Sequence, residues 1–313
     1  MKNKNLFIMI AVFAVLLIFY FATSYKPREV KEGAVPLFAG AKPIIDRLEI
    51  VRATGDSIVI EKQNAVWTVT SPFEYKANET YVNQAVEKLT GISIDGVVSS
   101  RAETQDRYST GTSTGIHIKA SSGGGIVLDA VIGKINDDYT HTFARLADSD
   151  ETSLWRGAIA VLFNREPDEW RDKNVLSLNS AEITNISVSG DSADRELAFN
   201  GTEWTYTDSG AEKPVDHTKV NNIATMLATL SCDSFADEDE TALTESAEPD
   251  AAVSITLKNG RIIYYRVWKA GEGVNRYLVR LDGNDIVFGF SNYRGEQLMI
   301  DYERIKAPEN ETA

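Results

Sequence analysis

One stretch of this chain is written twice. Trp67-Thr68-Val69-Thr70 returns as Trp204-Thr205-Tyr206-Thr207, an offset in numbering of 204 − 67 = 137. Val82, Ala85, Leu89 and Ile92 are matched by Val220, Ile223, Leu227 and Leu230, each at an offset of 138 (220 − 82). Arg145-Leu146 is echoed by Arg280-Leu281 at an offset of 135 (280 − 145), and Arg156-Gly157 by Arg294-Gly295 at 138 (294 − 156). Like elements in the same order at a near-constant offset mark a tandem duplication of a unit of about 130 residues, an ordinary domain size. Such a chain is expected to build two similar domains, each with its own core.

The N-terminus carries a different signal. Leu6 to Ala22 is an unbroken apolar run without a charge. As a helix it would measure roughly 26 Å, close to the roughly 30 Å of a hydrocarbon core. Tyr20, Thr23, Ser24 and Tyr25 would extend it into the interface. The run exceeds the h-region of about 7–15 residues in a cleaved signal peptide, and Ala22-Thr23-Ser24 is a weak cleavage site. The expectation is a single-pass helix in the cell (inner) membrane, contacting the bilayer through residues 6–22. Basic residues nearly balance across it, with Lys2 and Lys4 before and Lys26, Arg28 and Lys31 after. The short N-terminus is placed inside and the bulk of the chain outside the cytoplasm.

The expected organisation follows. Residues 1–25 hold the transmembrane anchor, and 26–43 form a linker containing Pro27, Pro36 and Pro43. Residues 44–176 form the first repeat, 177–306 the second, and 307–313 a disordered tail. In the first repeat, period-two runs at 45–51, 57–61 and 66–70 read as an antiparallel meander. Asn78 caps a helix whose stripe is Val82, Ala85, Leu89 and Ile92. Strands follow at 114–119, 125–132 and 140–147, then a short helix around 157–164. The second repeat reads as strands near 183–189, 195–199 and 203–207, a helix capped by Asp216, and an acidic loop from Asp233 to Asp250. Strands near 252–258, 261–268, 276–281 and 285–290 complete it. The fold class is therefore α+β: an N-terminal transmembrane helix followed by two tandem repeats, each a twisted antiparallel sheet with a helix packed on one face. Trp67 and Trp204 are read as core anchors.

Charge excludes some partners. The net charge of −14, from 32 basic and 46 acidic residues, repels phosphate backbones, so no nucleic acid is expected. Cys232 is the only cysteine, which rules out an intrachain disulfide and suits a small buried residue. His117, His141 and His217 lack zinc-motif spacing and read as solvated. Ser122-Gly123-Gly124-Gly125 lacks the Lys and hydroxyl of a phosphate loop and reads as a hairpin turn. Asp237-Glu238-Asp239-Glu240 lacks the central Gly of a calcium loop. No catalytic, cofactor-binding or metal-binding residues emerge, and no cofactor is expected.

A further set of residues forms a pattern. Trp67, Pro72, Tyr75, Ala77 and Asn78 precede the helix stripe Val82, Val86 and Leu89, and Arg171-Asp172-Lys173 closes the first repeat. In the second, Trp204, Pro214-Val215-Asp216 and Val220 keep the outline, while the ending becomes Glu303-Arg304-Ile305-Lys306. This layout resembles a bacterial membrane-anchored family, domain-of-unknown-function family 4340, whose pattern has Asp where this chain has Asn78. The resemblance implies a non-enzymatic extracytoplasmic accessory protein. Its implied partner is a permease or auxiliary membrane subunit of a gliding-motility-type ABC transporter. The alternatives are a module binding an envelope polymer or small solute, with Tyr264, Tyr265, Tyr277 and Tyr293 as candidate contacts, and an anchored hydrolase.

Overall fold

The structure, a computed structural model, describes Phe13 and residues 34–190, 194–271 and 274–308. Apart from Phe13, the apolar run 6–22 lies outside the described residues, as do 23–33 and 309–313. Among the described residues no helix is long and apolar enough to cross a membrane. The longest have 12 residues, about 18 Å of helix against a hydrocarbon core of roughly 30 Å. The expected N-terminal transmembrane helix, and the single-pass inner-membrane location built on it, are corrected accordingly.

The chain divides into two compact units. One runs through Glu74 and resumes over Thr80–Arg165; the other takes Tyr75–Glu79 and the chain from Glu166. The boundary expected at 176/177 thus falls earlier, and the segment Tyr75–Glu79 groups with the second unit.

The first sheet draws on β1 (Val35–Pro36), β2 (Arg47–Val51), β3 (Ser57–Gln63), β4 (Val66–Ser71) and β5 (Tyr75–Lys76). After helix α1 (Glu79–Thr90) come β6 (Ser93–Ser99), β7 (Ile116–Ser122), β8 (Gly125–Ile135), β9 (His141–Leu146) and β10 (Thr152–Arg156), then helix α2 (Ile159–Phe163). Its strand order is β1-β6-β10-β9-β8-β7-β2-β3-β4-β5. The second sheet uses β11 (Ile183–Gly190), β12 (Arg195–Phe199), β13 (Trp204–Asp208) and β14 (Ala211–Lys213) before helix α3 (His217–Ala228). β15 (Ser234–Phe235), helix α4 (Glu238–Ser246), β16 (Ala251–Leu257), β17 (Ile262–Lys269), β18 (Arg276–Leu281) and β19 (Val287–Ser291) follow. Helices α5 (Asn292–Leu298) and α6 (Tyr302–Ile305) end it. Here the order is β14-β13-β12-β11-β16-β17-β18-β19-β15.

Read from the opposite edge, the second order repeats the first strand for strand once β1 is set aside. Register fixes the match to single residues. Leu48 faces Ile60 as Ile186 faces Leu197, giving offsets of 186 − 48 = 138 and 197 − 60 = 137. Val69 faces Ile60 as Tyr206 faces Leu197, again 137. Ile118 faces Ile50 as Val253 faces Val188, so from β7 onward the offset is 253 − 118 = 135. The drop from 138 to 135 falls between β6 and β7, where the first unit makes two short 3-10 turns and the second makes α4.

Sheet dominates both units, so the α+β expectation is corrected to two large antiparallel sheets with minor helices. The physical reason lies in the strands that lack alternation. β6 has no fully buried residue along its length, as befits a strand near a sheet edge. The supposed acidic loop contains β15 and α4, whose start is fixed by a reciprocal Asp237/Glu240 capping box.

In both units alternate strand residues are buried with the helix stripe. Val82, Ala85 and Leu89 on α1 are buried, as are Val220, Ala224 and Leu227 on α3. Trp67 and Trp204, at matched register, are 4% and 5% exposed. In the second unit one cluster joins Leu197, Trp204 and Tyr206 to Val220, Leu227 and Phe288. Trp204 Nε1 also donates to Asn221 Oδ1 on α3 (2.9 Å), which fixes the ring against the helix.

Candidate functional site

Part of the family pattern, Tyr75, Ala77 and Asn78 with Arg171-Asp172-Lys173, meets in the second compact unit. Ala77 forms a β-bridge with Arg171. The Asn78 amide donates to Trp170 O (2.7 Å) and the Asp172 amide to Lys76 O (2.8 Å). The two segments therefore zip together over a short stretch, and Lys76 Nζ pairs with Asp172 Oδ2 at 2.9 Å. The Tyr75 ring meets Phe235 edge-on, with centroids 5.1 Å apart, and Phe288 at 6.4 Å.

Arg171 is the centre of the cluster. Its guanidinium carbon lies 3.7 Å from the Phe235 ring centroid, and it is ion-paired with Asp168. Asp168 Oδ2 in turn accepts from the Phe235 amide (3.4 Å). The arginine side chain is only 8% exposed, so ring and carboxylate replace its water. Beside it the Cys232 amide donates to Lys173 O (2.9 Å), and Lys173 Nζ donates to Asp233 O (2.8 Å).

The local electrostatics hold the thiol and phenol of this cluster in their neutral forms. Burial pushes the Cys232 thiol up to about 11, against a smaller opposing pull from Lys173. Burial, then Cys232 and Asp172, push the Tyr75 phenol up to about 12. A nucleophilic cysteine needs a thiolate, and here the thiol keeps its proton. The arrangement packs the Tyr75 and Phe235 rings and fastens the two segments together.

The second copy closes in the same way with other side chains. Val215 bridges Lys306, and the Asp216 amide donates to Ile305 O (2.8 Å). The counterpart of Arg171 is thus Lys306 (306 − 171 = 135), not Arg304, which pairs with Glu296. In place of an arginine–phenylalanine stack, Tyr302 lies over Tyr206 with centroids 5.3 Å apart.

A polar chain in the first unit joins residues far apart in sequence. Asp95 on β6 receives Arg156 Nε from β10 (2.9 Å to each oxygen) and pairs with His141 Nε2 from β9 (2.6 Å). His141 Nδ1 meets Thr140 Oγ1 at 2.7 Å. Thr140, His141 and Asp95 so trace a triad outline. The Thr140 hydroxyl, however, donates its proton to Asp138 Oδ1 (2.5 Å) rather than to the ring, so it is not activated as a nucleophile by that histidine. Arg156, and after it His141, hold the Asp95 carboxyl below its usual range.

His141, expected to be solvated, is 21% exposed and held on both ring nitrogens. His117 Nε2 pairs with Asp129 Oδ1 (2.5 Å) across β7 and β8. His217, the first residue of α3, accepts from the Trp204 amide through Nδ1 (3.3 Å). Of the four candidate tyrosines, Tyr265 and Tyr277 are buried, while Tyr264 and Tyr293 are 49% and 67% exposed. Ser122–Gly125 is the β7–β8 hairpin turn. Among the described residues no group of three or more His, Cys, Asp or Glu side chains could hold a metal ion.

Sequence reasoning missed Arg145 as more than an echo. It is 4% exposed, and its guanidinium donates to the backbone oxygens of Thr110 (2.7 Å) and Ala147 (2.9 Å). Its counterpart Arg280 donates to Asn284 O (3.2 Å), so each arginine ties down the loop after its strand. Recurrence at a fixed offset was the available signal.

Comparison with known proteins adds a family match. A family model described as a domain of unknown function (DUF4340) matches residues 67–252, a span that runs from β4 of one copy to β16 of the other. No curated protein matches, and no solved structure does.

Proposed function

The chain belongs to the DUF4340 family, and from that footing we propose that it is a non-enzymatic interaction module whose two sheet units hold surfaces for a protein partner. The Tyr75–Arg171–Phe235 cluster carries this reading. Its family-pattern residues are engaged within the cluster: Ala77 with Arg171, Asp172 with Lys76, and Asn78 with Trp170, the last two partners being neighbours of the pattern. The thiol and phenol beside them stay protonated. A signature used to close a scaffold fits a protein whose specificity lies on its outer surfaces.

The finer proposal concerns the partner. The family resemblance favours a permease or auxiliary subunit of a gliding-motility-type ABC transporter. Crosslinking of the full chain in cells that express such a transporter, followed by identification of the adducts, tests it. A transporter subunit in the adducts of the wild-type chain supports the proposal. Adducts without any transporter subunit would overturn it.

A further inference from the structure

The two copies differ in chemistry at matched positions where their sheets face outward. At matched register Glu49 of the first copy becomes Ser187 (offset 138), Lys119 becomes Ser254 (135) and Asp129 becomes Tyr264 (135). His117 and Glu61 become Ala252 (135) and Ala198 (137). Several polar side chains of the first copy pair with one another there. Arg47 pairs with Glu49 at 2.7 Å and also with Glu61, and His117 pairs with Asp129. The second copy has exchanged this lattice for small and hydroxylated side chains around one tyrosine.

The result is a shallow depression of about 180 Å³ on the outer face of β11, β16 and β17. Tyr264 stands in it half-exposed. Arg266 and Asp282 border it, paired at 3.1 Å with side chains 51% and 44% exposed. The Asp282 amide donates to Tyr264 O (2.9 Å), which holds that carboxylate beside the ring. Ser187 and Ser254 face each other across the strand pair on the same face.

We propose that this depression binds a neutral carbohydrate chain. A phenol ring offers an apolar face to the C–H side of a sugar, while its hydroxyl stays wet. The arginine–aspartate pair sets donors and acceptors side by side without net charge. An ion pair this exposed contributes little to stability, so its hydrogen-bonding groups are available to a ligand. Small residues at Ala252 and Ser254 leave the ring's neighbourhood open for a sugar to lie flat. The −14 net charge of the chain disfavours a polyanionic ligand. The site is independent of any protein partner.

Calorimetric titration of the full chain with cellotetraose, chitotetraose and maltotetraose tests the assignment, with a sulfated oligosaccharide as the charged comparison. Saturable binding of at least one neutral tetrasaccharide is expected, with Kd in the millimolar range. Tyr264→Ala should weaken it about tenfold or more, and Asp282→Asn should also weaken it. Tyr293→Ala, at an exposed tyrosine away from the depression, should leave it unchanged. Thermal melting confirms that each variant is folded. The proposal is overturned by the absence of binding at about 10 mM of every neutral sugar, by binding that survives Tyr264→Ala, or by tighter binding of the sulfated sugar.

Discussion

Asp95 and Asp233 occupy matched positions of the two copies (233 − 95 = 138), and each holds an arginine at the same further separation of 61 along the chain. Arg156 reaches Asp95 from the end of β10; Arg294 reaches Asp233 from α5, at 2.6 Å. The contact is kept although the backbone positions differ, since the register counterpart of Arg156 is Ser291 (156 + 135 = 291). Ser291 contributes too, its amide donating to Asp233 Oδ2 at 2.7 Å.

That difference gives a first prediction. Asp233→Asn removes the charge facing both an arginine and a backbone amide, whereas Asp95 faces side chains alone. The Asp233 variant should lower the midpoint of urea unfolding more than Asp95→Asn does. An equal or reversed order would show that the backbone contact contributes nothing.

Tyr265 leads to a second. It is 0% exposed, and its hydroxyl has no hydrogen-bond partner among the described residues. Burial alone pushes the phenol far above its ordinary range. Leaving such a group unsatisfied costs about 1–3 kcal/mol, so Tyr265→Phe should stabilise by about 1 kcal/mol and raise Tm by about 2–4 °C. Calorimetry decides it, and a lowered Tm would point to a polar partner for the hydroxyl.

Arg171 supplies a third. Its guanidinium is shielded from water while it stacks on Phe235 and pairs with the partly exposed Asp168. Arg171→Ala should cost about 2–3 kcal/mol. Arg171→Lys should recover little, because an ammonium cannot lie flat on the ring while reaching the carboxylate. Full recovery by lysine, measured by chemical denaturation, would reduce the cluster to a simple charge pair.

The pH dependence has two limbs. Tyr75 and Cys232 have raised values, so their contribution is fully present below their unfolded values of 10.0 and 9.0. It is lost as pH rises toward about 12 and about 11. Asp95, Asp208 and Asp233 are held below 3.8, so theirs is present above that value and lost on acidification. Unfolding midpoints across pH should fall at both ends. In the native protein at pH 8 the thiol should react with a disulfide reagent only as fast as the chain opens; rapid labelling would contradict its burial.

What was legible in the chain, and what was not, follows from range. The Trp67 and Trp204 strands and the helix stripes were legible because their periodicity is local. The 137 and 138 offsets found in sequence are those fixed by strand register. β6 and β15 were not legible: Ser93–Ser99 shows no alternation, and Ser234–Phe235 is too short to show any. The Arg156-Gly157 and Arg294-Gly295 echo concealed different uses of the glycine. Gly157 takes a left-handed φ of +92°, whereas a Cβ at Gly295 would overlap the Tyr277 ring. The Asp237/Glu240 capping signal was present in the acidic run but was outweighed by its charge. Asp95, His141 and Arg156 meet only through strand order, which no single-sequence motif encodes.

The doubling itself is best tested by superposing the two units in an experimental structure of this chain. Trp67 should fall on Trp204, Asp95 on Asp233 and Arg145 on Arg280, with the offset dropping from 138 to 135 between the helix-side strands and the rest. A slip of a single position would set the exposed Tyr264 against buried Ala130 instead of Asp129. That result would dissolve the register match, and with it the divergence of the outward faces.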